Sequence, residues 1–314
     1  MRQGTRDALY ENVEVGERFG PVELVVDDHK VKTFAFTQDD SNPWCLSGSP
    51  FGARIGHAAL LANDLLTVYY EAYDRNTVVG LHSEEELWFV SPVRVGERVM
   101  LTGRYVDKYV KRGQGYVVLE AEARGEDDRL LVRHRGTEIM RTQPGAVAGG
   151  RTAEVVGRRV TAETRDDLAV VTVALPGLEQ RRPIAALVKR VTQEQISVYS
   201  YCGEYTRNIH TDLEVAQRAG LRLPIMQGQM QACYLSELAT SFFGAPWFTT
   251  GRLKLKFLAP VEAGETLTIA GAVLGELDDA DGRRLEIEVW TRRSDGTMCA
   301  AGWASALIEP DYVA

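Results

Sequence analysis

The sequence lacks the features that mark several large classes of protein. No apolar run approaches the length that crosses a bilayer, and the opening Met-Arg-Gln-Gly-Thr-Arg-Asp is not the apolar stretch of a secretory signal. A cytoplasmic location without a membrane partner is therefore expected. Cysteine is sparse: Cys45, Cys202, Cys233 and Cys299 are scattered with no paired C-x-x-C spacing, which suggests neither a zinc site nor a disulfide framework. Positive charge is in deficit, with 36 Lys and Arg against 44 Asp and Glu and a net charge of −8. A nucleic-acid partner needs clustered cations to release counterions, so none is expected. What remains is a globular composition, 45% hydrophobic and 25% charged over 314 residues. That length exceeds what one core usually organises and predicts two domains.

Comparing the chain with itself sets the architecture. Phe89-Val-Ser-Pro92-Val-Arg-Val-Gly96-Glu97 recurs as Phe257-Leu-Ala-Pro260-Val-Glu-Ala-Gly264-Glu265, 168 residues on. Upstream, Val26-Asp27-Asp-His-Lys-Val31-Lys-Thr-Phe34 matches Val191-Thr192-Gln-Glu-Gln-Ile196-Ser-Val-Tyr199 at an offset of 165. Two matches in one order at nearly one offset point to duplication. The first unit is expected over residues 1–142, a small-residue linker over 143–152 and the second unit over 153–314.

Each copy shows the same order of elements. A short helix opens behind a capping residue, Asp27 in the first copy and Thr192 with Gln195 in the second. A polar loop follows, then a continuous apolar segment, residues 57–73 or 227–243, that predicts a buried helix. Alternating stretches such as Gly115-Tyr-Val-Val-Leu-Glu-Ala-Glu and Arg284-Leu-Glu-Ile-Glu-Val-Trp-Thr then succeed one another without helices between them. This predicts antiparallel sheet. The fold class expected is α+β, a tandem hotdog, with two antiparallel sheets each wrapping a central helix and pairing as a pseudo-dimer with clefts at the shared interface.

The segment Asn208-Ile-His210-Thr-Asp212-Leu-Glu-Val-Ala216, continued by Leu223-Pro224-Ile-Met-Gln-Gly228, resembles the signature of the MaoC-like hydratases and dehydratases. There Gly-Asp-x-Asn-Pro-x-His-x-Asp precedes a short Ala-containing helix, and a His-Gly step opens the central helix. The resemblance implies a 3-hydroxyacyl-thioester dehydratase or (R)-specific enoyl-thioester hydratase. Its substrate would be carried on coenzyme A or on the phosphopantetheine of an acyl carrier protein, with no other cofactor, and a homodimer of such chains is allowed. It makes His210 a catalytic residue, Gly228 a backbone donor to the thioester carbonyl and Asn208 a substrate-binding residue. The family's aspartate is not matched. Counting back five from His210 gives Tyr205, while one extra loop residue would align Cys202-Gly203-Glu204 with the family's step and make Glu204 the carboxylate; Glu204 is preferred, with Tyr205 kept as a candidate.

The first copy shows the complementary loss. Asp40-Ser-Asn42-Pro43-Trp44-Cys45 keeps the acid, Asn and Pro at family spacing but has Cys45 for the histidine, and Ala58 stands where the second copy has Gly228. With no activating base in its motif, Cys45 reads as a buried filler rather than a nucleophile. The first half is expected to be degenerate; the asymmetry resembles double-hotdog hydratases, which implies that this half serves to widen an acyl tunnel, the alternative being neutral decay after duplication. Two other readings stay open: a hotdog thioesterase using Glu237 on the central helix, and a non-catalytic acyl-thioester-binding subunit. A composite site joining Asp40 to His210 runs against the family's single-loop arrangement.

Overall fold

The computed structural model describes residues 5–75, 80–140, 158–200 and 207–308. The first half contributes strands β1 (Arg18–Val25), β2 (Leu81–Phe89), β3 (Arg98–Lys111), β4 (Gln114–Arg124) and β5 (Leu130–Met140), with helices α1 (Asp28–Gln38), α2 (Pro43–Leu46) and α3 (Ala62–Leu66). The second contributes β6 (Leu187–Arg190), helices α4 (Gln193–Tyr199), α5 (Leu213–Arg218), α6 (Gly228–Phe243) and α7 (Ala245–Thr250), then β7 (Arg252–Phe257), β8 (Thr266–Asp279), β9 (Gly282–Arg293) and β10 (Met298–Leu307). The ten strands form one sheet in the order β1-β3-β4-β5-β2-β7-β10-β9-β8-β6, every neighbouring pair antiparallel. Read outward from the β2–β7 junction, the two halves carry the same strands in the same order. This is the double hotdog. No helix among the described residues is long and apolar enough to cross a membrane.

The repeated Pro-Val-x-x-Gly-Glu motif has a mechanical explanation. Gly96 and Gly264 adopt φ of 95° and 89°, a region open to glycine. Their amides donate to Val26 O and Val191 O at 2.7 Å, and those valines' amides return the bond to Glu97 O and Glu265 O at 2.9 Å. The Glu97 and Glu265 side chains fold back onto the amides of Arg94 and Glu262. The two matching segments are thus the two partners of one turn, which is why both recur. The helix caps also form as expected: Asp27 accepts from the Lys30 amide at 2.7 Å, and Thr192 and Gln195 close a reciprocal capping box.

The two central helices differ. Residues 228–243 form one helix with Gln227 as its N-cap, and nearly all of its length is buried. The expectation of one helix over residues 57–73 needs correction. Residues 58–61 make tight turns, α3 lasts five residues, and a 3-10 turn over Val68–Glu71 follows. The cause is local. Thr67, Val68, Tyr69 and Tyr70 are β-branched and aromatic, poor at holding a helix, and the Thr67 hydroxyl bonds back to Asn63 O at 2.8 Å.

Trp247 on α7 ties the halves together. It is fully buried, stacks on Phe243 at 5.7 Å, meets Phe89 of β2 at 5.1 Å and donates Nε1–H to Ser236 Oγ at 3.0 Å. Trp247→Ala should cost about 3–5 kcal/mol, the range for truncating a buried aromatic. Denaturant unfolding should show this as a lower midpoint at unchanged slope.

Candidate active site

The loop carrying His210 is organised before any ligand is considered. Asp212 caps α5 through the Val215 amide at 3.0 Å and pairs with Arg207 at 2.6 Å. Asn208 Oδ1 accepts from the His210 amide at 2.8 Å, and the Gln193 side chain donates to His210 O at 2.9 Å. The imidazole is fixed by Nδ1, which lies 2.7 Å from Ile225 O. A carbonyl can only accept, so Nδ1 carries the proton and Nε2 keeps its lone pair. Burial pushes the imidazole down to about 4, against which the carbonyl bond pulls only partly. At neutral pH His210 is an uncharged ring whose Nε2 is unprotonated and basic.

His210 lines a cavity of about 420 Å³ between the halves, together with Asn208, Gln227 and Gly228. Gly228 begins α6, and among the described residues no side chain caps that helix start. Its orphan amides and positive potential therefore belong to the cavity wall. A Cβ on Gly228 would meet the Phe257 ring at 3.2 Å and His82 Cβ at 3.3 Å, so the wall is tight there. The first half supplies Asn63, Tyr70, His82 and Glu138 to the same cavity. Three of the residues named from the sequence are thus brought together: His210, Asn208 and Gly228. Glu204 and Tyr205 lie outside the described residues.

The pseudo-equivalent site of the first half is closed. The amide of Ile55 bonds Trp44 O as that of Ile225 bonds Ile209 O, which sets Cys45 opposite His210 in the repeat. Asp40, Asn42, His57 and Ala58 face Cys233, Ser236 and Glu237 of α6 around a cavity of only about 10 Å³. Phe248 lines it and packs with Trp44 and Phe51 at ring distances of 5.7 and 5.9 Å, filling the space. Cys45 is fully buried and desolvation pushes its thiol up to about 12, which removes the thiolate a nucleophile needs. Glu237 is held by Lys189 at 2.8 Å, and burial followed by the nearby Asp40 raises it to about 7. It lines the closed cavity, so the thioesterase reading loses its carboxylate in the open one.

Sequence reasoning missed two groups. His57 occupies the position of Gln227, two residues beyond Ile55 as Gln227 is beyond Ile225, and its Nε2 lies 3.1 Å from Asp40 O and 3.5 Å from Asp40 Oδ2. The repeat alignment contained that signal. The second group is buried across β2 and β5: Glu85, fully buried, sits 3.0 Å from His82 Nε2 and 3.1 Å from His134 Nε2 and accepts from Gln229 Nε2 of α6 at 3.0 Å. Strict strand alternation would put residues 82 and 85 on opposite faces. A bulge pairs His82 with Glu138 and Glu84 with Thr137, leaving Ser83 unpaired and turning both side chains inward. Among the described residues no group of three His, Cys, Asp or Glu side chains is arranged to hold a metal ion.

The comparisons with known proteins agree with this architecture. Residues 176–292 match the MaoC like domain, and residues 14–134 match the FAS1-like, dehydratase domain region. Among solved structures, a MaoC-like dehydratase superposes with a TM-score of 0.72 at 16% identity, over 95% of this chain and 98% of that one. A conserved hypothetical protein of Mycobacterium tuberculosis, described as having a double hotdog fold and as essential for bacterial survival during infection, superposes at 0.66 with 16% identity over 98% and 99%. The peroxisomal multifunctional enzyme type 2 of Drosophila melanogaster gives 0.64 at 17% identity, over 93% of this chain but 49% of that longer one. At these identities the structural likeness establishes the fold. A sequence comparison with curated proteins finds no match. The second half thus carries a MaoC like domain and the first half matches a FAS1-like dehydratase region, on the double-hotdog fold that the chain shares with MaoC-like proteins.

The two buried imidazoles in the cleft should titrate on opposite sides of the ordinary value of 6.5. His210 should stay neutral until near pH 4, while His82 is raised: burial pulls it down, but Glu85, Glu138 and the Glu84 carbonyl together outweigh that. Histidine Cε1–H shifts followed by NMR against pH check this. Coincident titration of the two rings would contradict the environments described.

Proposed function

We propose that the chain is a hydro-lyase that adds water to, or removes it from, an acyl thioester carried on coenzyme A or an acyl carrier protein. The observation that carries this is the juxtaposition of a neutral His210, its Nε2 unprotonated, with the start of the buried helix α6, which no side chain among the described residues caps, in one cleft. Hydration of an enoyl thioester needs both. The water oxygen bonds to C3 while a base takes its proton, the π electrons shift toward C2 and the carbonyl oxygen, and C2 then takes a proton. His210 Nε2 is suited to accept from the water, and the α6 amides at Gly228 are suited to the oxygen on which charge develops. Asn208 holds the loop through the His210 amide as well as lining the cleft. This chemistry calls on no redox cofactor.

A purified sample should hydrate crotonyl-CoA or a longer enoyl-CoA, seen as loss of the conjugated thioester absorbance without release of free thiol. His210→Ala should lower kcat by about two to four orders of magnitude, the usual worth of a positioned proton-transfer group. Cys45→Ser, buried in the core of the first half, and Asp40→Asn, in the closed cavity, should leave turnover close to wild type. Thiol release in place of hydration would favour a thioesterase, and binding without either would favour the non-catalytic subunit.

A further inference from the structure

The reading above leaves unused a buried charged network that the first half pushes into the same cleft. His82 lines the cavity with its side chain only 7% exposed. Its Nε2 bonds Glu84 O at 3.0 Å and stands 3.0 Å from Glu85 Oε2 as an ion-pair contact, while its Nδ1 is buried without a partner among the described residues. Glu138 Oε2, Gln227 Oε1 and Gln229 Oε1 are three further buried polar atoms without a partner among those residues, and all belong to side chains lining this one cavity. Buried polar groups are nearly always satisfied, so four such atoms around one space mark where a polar ligand is received.

The position of His82 identifies which part of the ligand it meets. Gly228 and His82 lie side by side, so the ring shares the wall with the positive end of α6. A protonated imidazole beside a helix start is unfavourable by itself. Here Glu85 supplies the opposite charge from behind, at no exposure, and Gln229 of α6 fixes that carboxylate through its Oε1. Around His82 stand Glu84 and Glu85 on its own strand, His134 and Glu138 on β5, Tyr69 and Tyr70 in the 3-10 turn after α3, and the Phe257 ring of β7 at 4.7 Å. Arg75 lines the same cavity.

Resting on the hydratase reading, we propose that His82 is a second donor to the substrate: it offers Nδ1–H to the thioester oxygen as that oxygen becomes an enolate, beside the Gly228 amide. Glu85 is the positioning residue that keeps Nε2 and the charge in place. The first half, whose own site is closed, thereby contributes a substrate-facing group to the open one. No bond to His82 forms or breaks; the hydrogen bond strengthens as charge moves from the C2–C3 π bond to oxygen.

The test uses the full chain and enoyl-CoA hydration. His82→Gln should lower kcat about 100-fold with little change in KM, the usual loss on removing one oxyanion donor. In the wild type, kcat should fall as pH rises through the His82 pKa, because the imidazolium is the donor; that descending limb should be absent in His82→Gln. Glu85→Gln should keep the limb but move it to lower pH, since the carboxylate no longer favours the charged ring. A merely structural role would lower Tm and leave the limb where it is, and that result overturns the proposal. So does a His82→Gln enzyme of wild-type kcat and pH profile, and in that case the hydratase reading survives. A wild type that hydrates no enoyl-CoA removes both.

Discussion

The antiparallel pairing of β2 with β7 is the constraint on which the rest depends. It brings Leu87 opposite Leu253, both buried, and sets Glu84 and Glu86 against Lys256 and Lys254 across the junction. The exposed ion pairs add little stability on their own but penalise a slipped register, because a shift of one residue would turn the buried leucines outward. Joining the two sheets abolishes the edge each half would otherwise present. It also decides the geography of the chemistry. His82 belongs to β2 and reaches the start of α6 because its strand runs beside β7, which follows that helix in the chain.

Duplication gave two equivalent interfaces, and packing has treated them differently. On one side, α3 is short and breaks into a 3-10 turn, so the wall opposite His210 and Gly228 is made of Asn63, Leu66 and Tyr70 and stands off from α6. On the other, the full-length α6 presents Cys233, Ser236 and Glu237 to Asp40 and His57, and α7 adds Phe248. The shorter central helix of the first half thus opens the cleft of the second, and the longer helix of the second closes that of the first. The first half is a structural requirement of the open cleft even though its own cleft holds almost no space.

Much of this was legible in the sequence, for identifiable reasons. Gly96 and Gly264 could be read because a positive φ and a reciprocal backbone bond demand the same residue type in both copies. His210 could be read because the loop around it is built locally, from Asn208, Asp212 and the following helix, all within a few residues. The broken α3 was hidden because apolar continuity over residues 57–73 says that a segment is buried and not whether it stays helical. The His82, Glu85 and His134 group was hidden more deeply. Its members come from two strands, and a single bulged residue, Ser83, reverses the alternation by which a strand's inward side chains are read. Glu237 was visible as a carboxylate on the right helix, but which cleft it faces depends on the turn of α6 against the other half.

The buried carboxylate sharpens the contrast between what folding and function require. A core position at the centre of β2 would be filled most simply by an apolar side chain, since removing a charge from water is unfavourable by several kcal/mol even after relaxation. Glu85 is tolerated because two imidazoles and the Gln229 amide surround it; burial alone would raise it, and His134 with His82 outweighs that and holds it near 2. Glu138 one strand away has less support, and burial raises it. Two buried carboxyl groups in one wall are thus driven in opposite directions, one fixed as an anion and one pushed toward neutrality. An environment that drives neighbouring carboxyls apart in this way favours a charged imidazole beside the one held as an anion. It is centred on the strand of the half whose sequence motif had lost its histidine, so the loss of one site and the completion of the other are two consequences of the same interface.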